Sequence, residues 1–342
     1  MNPSSAAGSA DAVTGSVELL DLHPPAADLR AEVIAGLSRE PKRLPSKLFY
    51  DQRGSELYEQ ITRLDEYYPT RTEIAIMRSH VGEIARRLGP DVLLVEYGSG
   101  NSEKTRILLD HLDRPAGYVP VDISREHLLA AAEALSREYP RLEIRPVCAD
   151  YTQPIELPTV DGPVRRRVVY FPGSTIGNFE HPEARAFLRT LSAYCRTGDV
   201  LLLGVDLKKD PDVLEAAYND RQGVTAEFNL NLLRRLNAEL GTDFDLDRFS
   251  HRAFYDREAG RVEMHLVSQA AQAVDVRGVR FELTDGETIW TESSYKYDLD
   301  QIAALTGDAG FELERWWTDP RQWFAVTYFV VRQLAPPNRP AS

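Results

Sequence analysis

Between Asp91 and Asp206 the chain alternates short apolar runs with amphipathic stretches. Strands are expected over 92–97, 117–121, 143–149, 166–171 and 199–205, of which 92–97 is an apolar run typical of a strand buried on both faces. Between them, 103–112, 124–137 and 181–195 carry apolar residues at helical spacing. This alternation predicts a parallel, doubly wound sheet. Upstream, residues 19–88 read mainly as helix. Segment 27–37 is amphipathic, and a short helix over 55–62 follows the turn Asp51-Gln-Arg-Gly54. A longer helix starts at Thr70, with Glu73 completing a capping box, and runs to about Leu88 before Gly89-Pro90.

The rhythm breaks after Asp206. Residues 209–240 form two helical segments separated near Asp220-Arg-Gln-Gly223. Segments 252–255, 261–268, 276–283 and 288–297 alternate apolar and polar residues with turns between them, which predicts an antiparallel meander. A helix over 299–309 and strands over 311–317 and 323–331 would close the first sheet with an antiparallel hairpin. The expected organisation is a sheet domain from 72–207 and 296–334, and a substrate domain from 17–71 and the insertion 208–295. Residues 1–16 and 335–342 are expected to be tails, the first rich in Ala, Ser and Gly and expected to be disordered.

Composition narrows the function classes. The 342 residues carry 53 acids against 40 Lys and Arg, a net charge of −13, and no basic stripe, so nucleic acid and anionic membranes are not expected partners. No run approaches the roughly 20 apolar residues of a membrane span. The N-terminus lacks the cationic and apolar regions of a secretory signal. Two cysteines, Cys148 and Cys195, make neither a disulfide framework nor a zinc cluster, and no histidine pair has metal-ligand spacing. A cytoplasmic, monomeric, metal-free protein acting on a small molecule is expected.

The run Val92-Leu-Leu-Val-Glu-Tyr-Gly-Ser-Gly100 carries the most chemistry. A buried strand breaks into a Gly-x-Gly turn, and the next strand ends in Asp122, placed to accept hydrogen bonds from ribose hydroxyls. The third glycine of a dinucleotide fingerprint is replaced by Glu103, which would crowd the helix and repel a pyrophosphate. S-adenosylmethionine has no phosphate and carries a sulfonium, and an acidic turn flanked by Glu96 and Glu103 suits that cation. The antiparallel ending points the same way, since it is frequent in methyltransferases using that cofactor and unusual in dehydrogenases. Asp150-Tyr151 ends the third strand, where the carboxylate would take the adenine amino group and the ring would lie against the base. Taken alone, Gly-x-Gly also fits an ordinary tight turn and Asp150 a turn former.

The chain resembles the bacterial L-histidine Nα-methyltransferases of ergothioneine biosynthesis over about residues 28–332. The matching stretches are Lys47-Leu-Phe-Tyr-Asp51, Ile61-Thr-Arg-Leu-Asp-Glu-Tyr-Tyr-Pro-Thr-Arg-Thr-Glu73 and Gly98-Ser-Gly-Asn-Ser-Glu-Lys-Thr-Arg106. Further matches are Gly173-Ser-Thr-Ile-Gly-Asn178, Ala217-Tyr-Asn-Asp-Arg-Gln-Gly-Val-Thr-Ala-Glu-Phe-Asn229 and Thr291-Glu-Ser-Ser294. The resemblance implies a Rossmann-like class I methyltransferase sheet with a second α+β substrate domain. It implies that Gly98, Lys104, Asp122, Asp150 and Tyr151 line the cofactor. Asn178 and Tyr218 would hold the substrate carboxylate, and Tyr50 and Tyr67 would flank the amine. Glu292 and Ser294 would read the imidazole, with Met264 shaping the wall and Ser293 between the two readers adding a polar group. Tyr97 stands where a smaller aliphatic is usual, and Tyr151 where Phe is usual.

The residues themselves leave alternatives open. A neutral phenol with a pKa near 10 is a poor general base, so Tyr50 and Tyr67 are expected to position the amine. Tyr68 and the tryptophans at 316, 317 and 323 read as packing. Tyr218 also fits half-buried packing, Asn178 a turn, and Glu292 an exposed strand position. Glu292 and Ser294 lie two apart, on one face of a strand. The same chemistry on another amine, such as tryptophan or tyrosine, remains a close alternative. A nicotinamide oxidoreductase and a non-catalytic cofactor-binding regulator are the alternatives of a different class.

Overall fold

The computed structural model describes residues 17–22, 26–100 and 102–332; both expected tails, 1–16 and 335–342, lie outside the described residues. In chain order the elements begin with strand Leu20–Asp21 (β1), helix Ala26–Leu37 (α1), strand Lys42–Arg43 (β2) and helices Gln52–Ile61 (α2) and Tyr68–Leu88 (α3). There follow Val92–Tyr97 (β3), Glu103–Leu109 (α4), Gly117–Asp122 (β4), Arg125–Glu138 (α5), Val147–Cys148 (β5), Arg166–Phe171 (β6), His181–Tyr194 (α6) and Val200–Asp206 (β7). Helices Pro211–Ala216 (α7) and Val224–Leu240 (α8) lead to Phe249–Asp256 (β8), Arg261–Ser268 (β9), Gln272–Val276 (β10), Val279–Leu283 (β11) and Thr288–Tyr295 (β12). Helix Leu299–Gly307 (α9) precedes Phe311–Thr318 (β13) and Phe324–Val331 (β14).

The main sheet has the order β1-β5-β4-β3-β6-β7-β14-β13. Its first six strands pair in parallel, and β14 and β13 add antiparallel. Both faces are covered. Val92 and Leu94 of β3 enter one core with α3, while Leu93, Val95 and Tyr97 enter the core on the other face with α6 and α9. Period-two alternation with both faces apolar is why the run reads as continuous. The strand order reverses at β3, which pairs with β4 on one side and β6 on the other. In open α/β sheets ligands bind beyond the carboxyl ends of the strands at such a point.

A second sheet, β2-β12-β9-β8, packs with α1, α2 and α8 around a separate core. The expected meander is interrupted: β10 and β11 form their own hairpin, and β12 returns to pair with β9. The expected third strand, 143–149, is also broken. Ile144 bridges Tyr118, but the paired strand is only Val147–Cys148, because Pro146 has no N–H to give the ladder. Among the described residues no helix is long and apolar enough to cross a membrane.

The expected cap at Thr70 is absent. Helix α3 starts at Tyr68 with Pro69 in its first turn, so Thr70 is already helical. Glu73 is not a capping residue: it is fully buried, pairs with Lys104 Nζ at 2.7 Å, and accepts the Gly173 amide at 2.9 Å. Gly204 in β7 makes room for it, since a Cβ there would lie 2.3 Å from Glu73 Oε1. Gly204→Ala should therefore destabilise the protein by about 2 kcal/mol or more, read as a lower urea midpoint. An unchanged midpoint would show that the Glu73–Lys104 contact yields freely.

Candidate active site

The Gly98-to-Gly100 turn opens at the carboxyl end of β3. Gly98 has φ +75°, which an L side chain rarely adopts, and its amide donates to Val121 O at 2.8 Å, tying the turn to β4. Asp122, at the end of β4, accepts from the amides of Ser124 at 3.0 Å and Gly100 at 3.4 Å. Burial pushes its carboxyl up, and these amides pull it back. A cavity of about 640 Å³ runs over these strand ends, lined by Gly98, Gly100, Lys104, Asp122, Asp150 and Tyr151. All five residues expected at the cofactor thus border one cavity.

The acidic turn works differently from the expectation. Glu96 borders the cavity, but its carboxylate accepts from Thr105 Oγ1 at 2.6 Å and from Tyr118, and burial pushes its pKa up to about 7. It anchors the start of α4 and is a weak source of negative charge near neutrality. Asp150 is also engaged. Lys47 Nζ lies 2.7 Å from one of its oxygens and 2.8 Å from Glu32, and Thr152 donates to the other. Burial alone would raise Asp150; Lys47 and Thr152 hold it below the usual carboxylate range.

The residues fit an adenosyl group without phosphate. Among the described residues Ser99 Oγ is buried on the glycine turn with no hydrogen-bond partner, and an unmet buried hydroxyl is costly unless a ligand meets it. Lys104 is tied to Glu73, and Glu103 and Asp122 face the same cavity, a charge set that repels a pyrophosphate.

A second cavity of about 40 Å³ adjoins the first; Tyr50, Tyr58, Gly173, Thr175, Asn178 and Glu292 line both. Its remaining walls include Tyr67, Tyr218, Phe228 and Met264. The rings interlock edge to face: Tyr50 meets Tyr58 and Phe228 with centroids 5.9 Å apart in each pair, and Tyr67 meets Tyr218 at 6.3 Å. Burial raises the hydroxyls of Tyr50 and Tyr67 well above their ordinary values, so both remain neutral donors at neutral pH. Asn178 sits on the turn Thr175–Asn178, which abuts β12 because Gly177 lacks a Cβ that would lie 2.7 Å from Tyr295 O.

Glu292 reaches the chamber through a bulge: the β12–β9 register shifts between Trp290 and Glu292, and Glu292 then lies opposite Met264. Its side chain has no hydrogen-bond partner among the described residues; only its backbone oxygen accepts, from the Trp290 indole at 2.8 Å. Burial pushes its carboxyl up to about 7, with the Lys296 charge pulling it back. An exposed strand position is excluded.

The serines separate. Ser293 points to the opposite face and bonds Glu180 at 2.9 Å and Arg43 at 3.3 Å, at the edge of the larger cavity. Ser294 stands behind the wall, with Tyr218 donating to its hydroxyl at 2.8 Å. Three residues beyond the expected set also stand here. Tyr58 lines both cavities with its hydroxyl 3.4 Å from that of Tyr67, Phe228 forms the hydrophobic side, and Lys47 holds Asp150. Tyr58 and Phe228 lie inside or beside matching stretches, but their helical spacing resembles ordinary core.

A model of the family described as "Histidine-specific methyltransferase, SAM-dependent" matches residues 29–331. The chain is 44% identical over 308 residues to the histidine N-alpha-methyltransferase of Mycolicibacterium smegmatis, covering 88% of this chain and 94% of the relative. It is 30% identical to ergothioneine biosynthesis protein 1 of Neurospora crassa over 93% of this chain and 38% of that longer protein. It is 26% identical to the 4-dimethylallyltryptophan N-methyltransferase of Claviceps purpurea, over 85% of this chain and 91% of the relative.

The state of Glu292 has a stability signature. Its folded pKa lies above the unfolded one, so the folded protein holds the extra proton between about pH 4.5 and 7, and stability falls as pH rises through that window. Glu292→Gln should match the wild type below pH 4.5 and exceed it above pH 7, by on the order of 2–3 kcal/mol. Urea unfolding at both ends of the window reads this out; a constant difference would show that the carboxylate is well solvated or paired.

Proposed function

The chain belongs to the histidine-specific, S-adenosylmethionine-dependent methyltransferase family, and from that membership we propose that it trimethylates the α-amino nitrogen of L-histidine to hercynine, in ergothioneine biosynthesis. The observation that carries the choice of substrate is Glu292, a buried carboxylate with no hydrogen-bond partner among the described residues, in a largely aromatic chamber beside the adenosyl-sized cavity. An imidazole N–H satisfies it, whereas an aliphatic or phenyl side chain would leave it buried and unmet. Sites built around a polar contact reject analogues lacking it by factors on the order of 10⁴. A reducing, cytoplasmic compartment suits the two free cysteines.

The cofactor supplies an electrophilic methyl on a sulfonium. In each transfer a sulfur–carbon bond breaks, a nitrogen–carbon bond forms, and the sulfur keeps the electron pair. Three transfers consume three cofactor molecules and release three protons, because the ammonium of histidine becomes a quaternary ammonium. The chain's part is orientation. Asp122 holds the ribose, Asp150 and Tyr151 the adenine, and Lys104, held by Glu73, stands between the cofactor cavity and the chamber. Asn178 and the Tyr218 hydroxyl bind the carboxylate. Tyr50 and Tyr67 hold the amine in line with the sulfur. As neutral phenols they guide its proton to water and do not act as bases. Holding the reactants in line is worth effective molarities on the order of 10⁵ M or more. The walls Tyr50, Tyr58 and Tyr67 also offer ring faces to the growing alkylammonium, a favourable contact of roughly 0.5–2 kcal/mol.

Incubation with S-adenosylmethionine and an amino-acid mixture should give histidine carrying three methyl groups by mass spectrometry. Methylated tryptophan or tyrosine with histidine untouched would reverse the assignment. Glu292→Ala should lower kcat/KM for histidine by about 10² or more, with S-adenosylhomocysteine affinity retained. Asp122→Ala should show the converse, weakening S-adenosylhomocysteine binding about tenfold or more in calorimetry; an unchanged affinity would remove Asp122 from the ribose.

A further inference from the structure

An amino-acid substrate brings a carboxylate, yet no lysine or arginine lines the smaller chamber. One buried cation stands behind the wall, beside Tyr218. Lys296, just past β12, is buried, and its Nζ lies 3.0 Å from the Tyr218 hydroxyl, 2.9 Å from Ser294 Oγ and 2.8 Å from Asp206. Three acceptors meet its three N–H groups. An ammonium accepts nothing, so the Tyr218 proton cannot point back at it. That proton faces Ser294 or the chamber. Asp206 also pairs with Lys209 and accepts from Tyr68, so two cations share one carboxylate. The cluster carries a surplus positive charge beneath the chamber when both lysines are protonated.

We propose that Lys296 is a positioning residue for the amino acid: from behind the wall it fixes the Tyr218 hydroxyl as a donor, and its charge favours the carboxylate form of Glu292. This rests on the reading of the chamber as the amino-acid site. The ionisable groups acting on Glu292 are Lys296 at the end of its own strand, Tyr50 from the turn before α2 and Tyr218 from the segment after α7. Tyr58 and Tyr67 complete the wall. Burial keeps Tyr50, Tyr67 and Tyr218 neutral, which leaves Lys296 as the charge that favours the Glu292 carboxylate. Asp206 retains Lys209 and Tyr68 when Lys296 is replaced, so its charge stays compensated.

The test compares wild type, Lys296→Met and Lys296→Gln in histidine kinetics between about pH 6 and 8.5, with S-adenosylhomocysteine binding as control. Gln keeps two N–H donors and loses the charge. Both variants should raise the histidine KM about tenfold or more, lower kcat less, and leave S-adenosylhomocysteine affinity within about twofold. The acid limb of kcat/KM should move up by about one pH unit. The titration of the histidine imidazole itself is common to all three proteins. If Met does not fold, Gln alone decides. An unmoved limb, or equal losses of histidine and S-adenosylhomocysteine binding, overturns the proposal and leaves Lys296 a structural ion-pair partner. A wild type that does not turn histidine over overturns the functional reading itself, and the role of Lys296 in amino-acid binding with it.

Discussion

Asp206 ties the two sheets together, and the candidate site depends on that tie. It ends β7 of the main sheet and holds Lys296, which follows β12 of the second sheet, with the backbone bridge Leu207–Tyr297 alongside. Burial would raise its carboxyl, but Lys296 and Lys209 hold it below the usual range. Removing both charges from water is expensive, and the pair survives because Tyr68, Tyr218 and Ser294 fill the remaining bonds. A second clasp works at the chamber edge, where Glu180 at the start of α6 bonds Arg43 at 2.9 Å, Arg261 at 3.1 Å and Tyr295 at 2.7 Å. The cofactor cavity and the chamber therefore sit between two bodies joined by buried or half-buried charge.

Against that background the proposed role of Glu292 is specificity gained at a cost in stability. A buried carboxylate with no partner reduces stability at neutral pH, and an apolar residue at the same place would pack at less cost. Most of the chamber wall is rings, aliphatic side chains and a thioether, with Glu292 its one ionisable carboxylate among the described residues. A charged group in a mainly aromatic pocket converts general affinity into discrimination. The relative from Claviceps purpurea, named as a 4-dimethylallyltryptophan N-methyltransferase, is 26% identical to this chain. On the proposed reading, substrate choice lies in a few wall residues and not in the fold.

Much of the main sheet is legible in the sequence because its strands are buried on both faces. Segments 92–97 and 166–171 match β3 and β6 to the residue, since apolar runs bounded by Gly or charged residues have few alternatives. The two-residue period likewise puts Glu292 and Ser294 on one side of β12 and Ser293 on the other. What the pattern hides is long-range charge pairing. Glu73 looks like a capping residue until Lys104, 31 positions away, is folded against it. Asp150 looks free until Lys47, 103 positions earlier, reaches it. Lys296 in a polar-looking strand gives no local hint of burial beside Asp206. Ser294 was expected on the wall, and the Tyr218 side chain covers it.

The most direct measurement is a crystal structure with L-histidine and S-adenosylhomocysteine bound together. The account predicts an imidazole nitrogen within hydrogen-bond distance of a Glu292 oxygen and the α-nitrogen facing the cofactor sulfur between Tyr50 and Tyr67. A ring lodged away from residue 292, or an α-nitrogen turned from the sulfur, would contradict it.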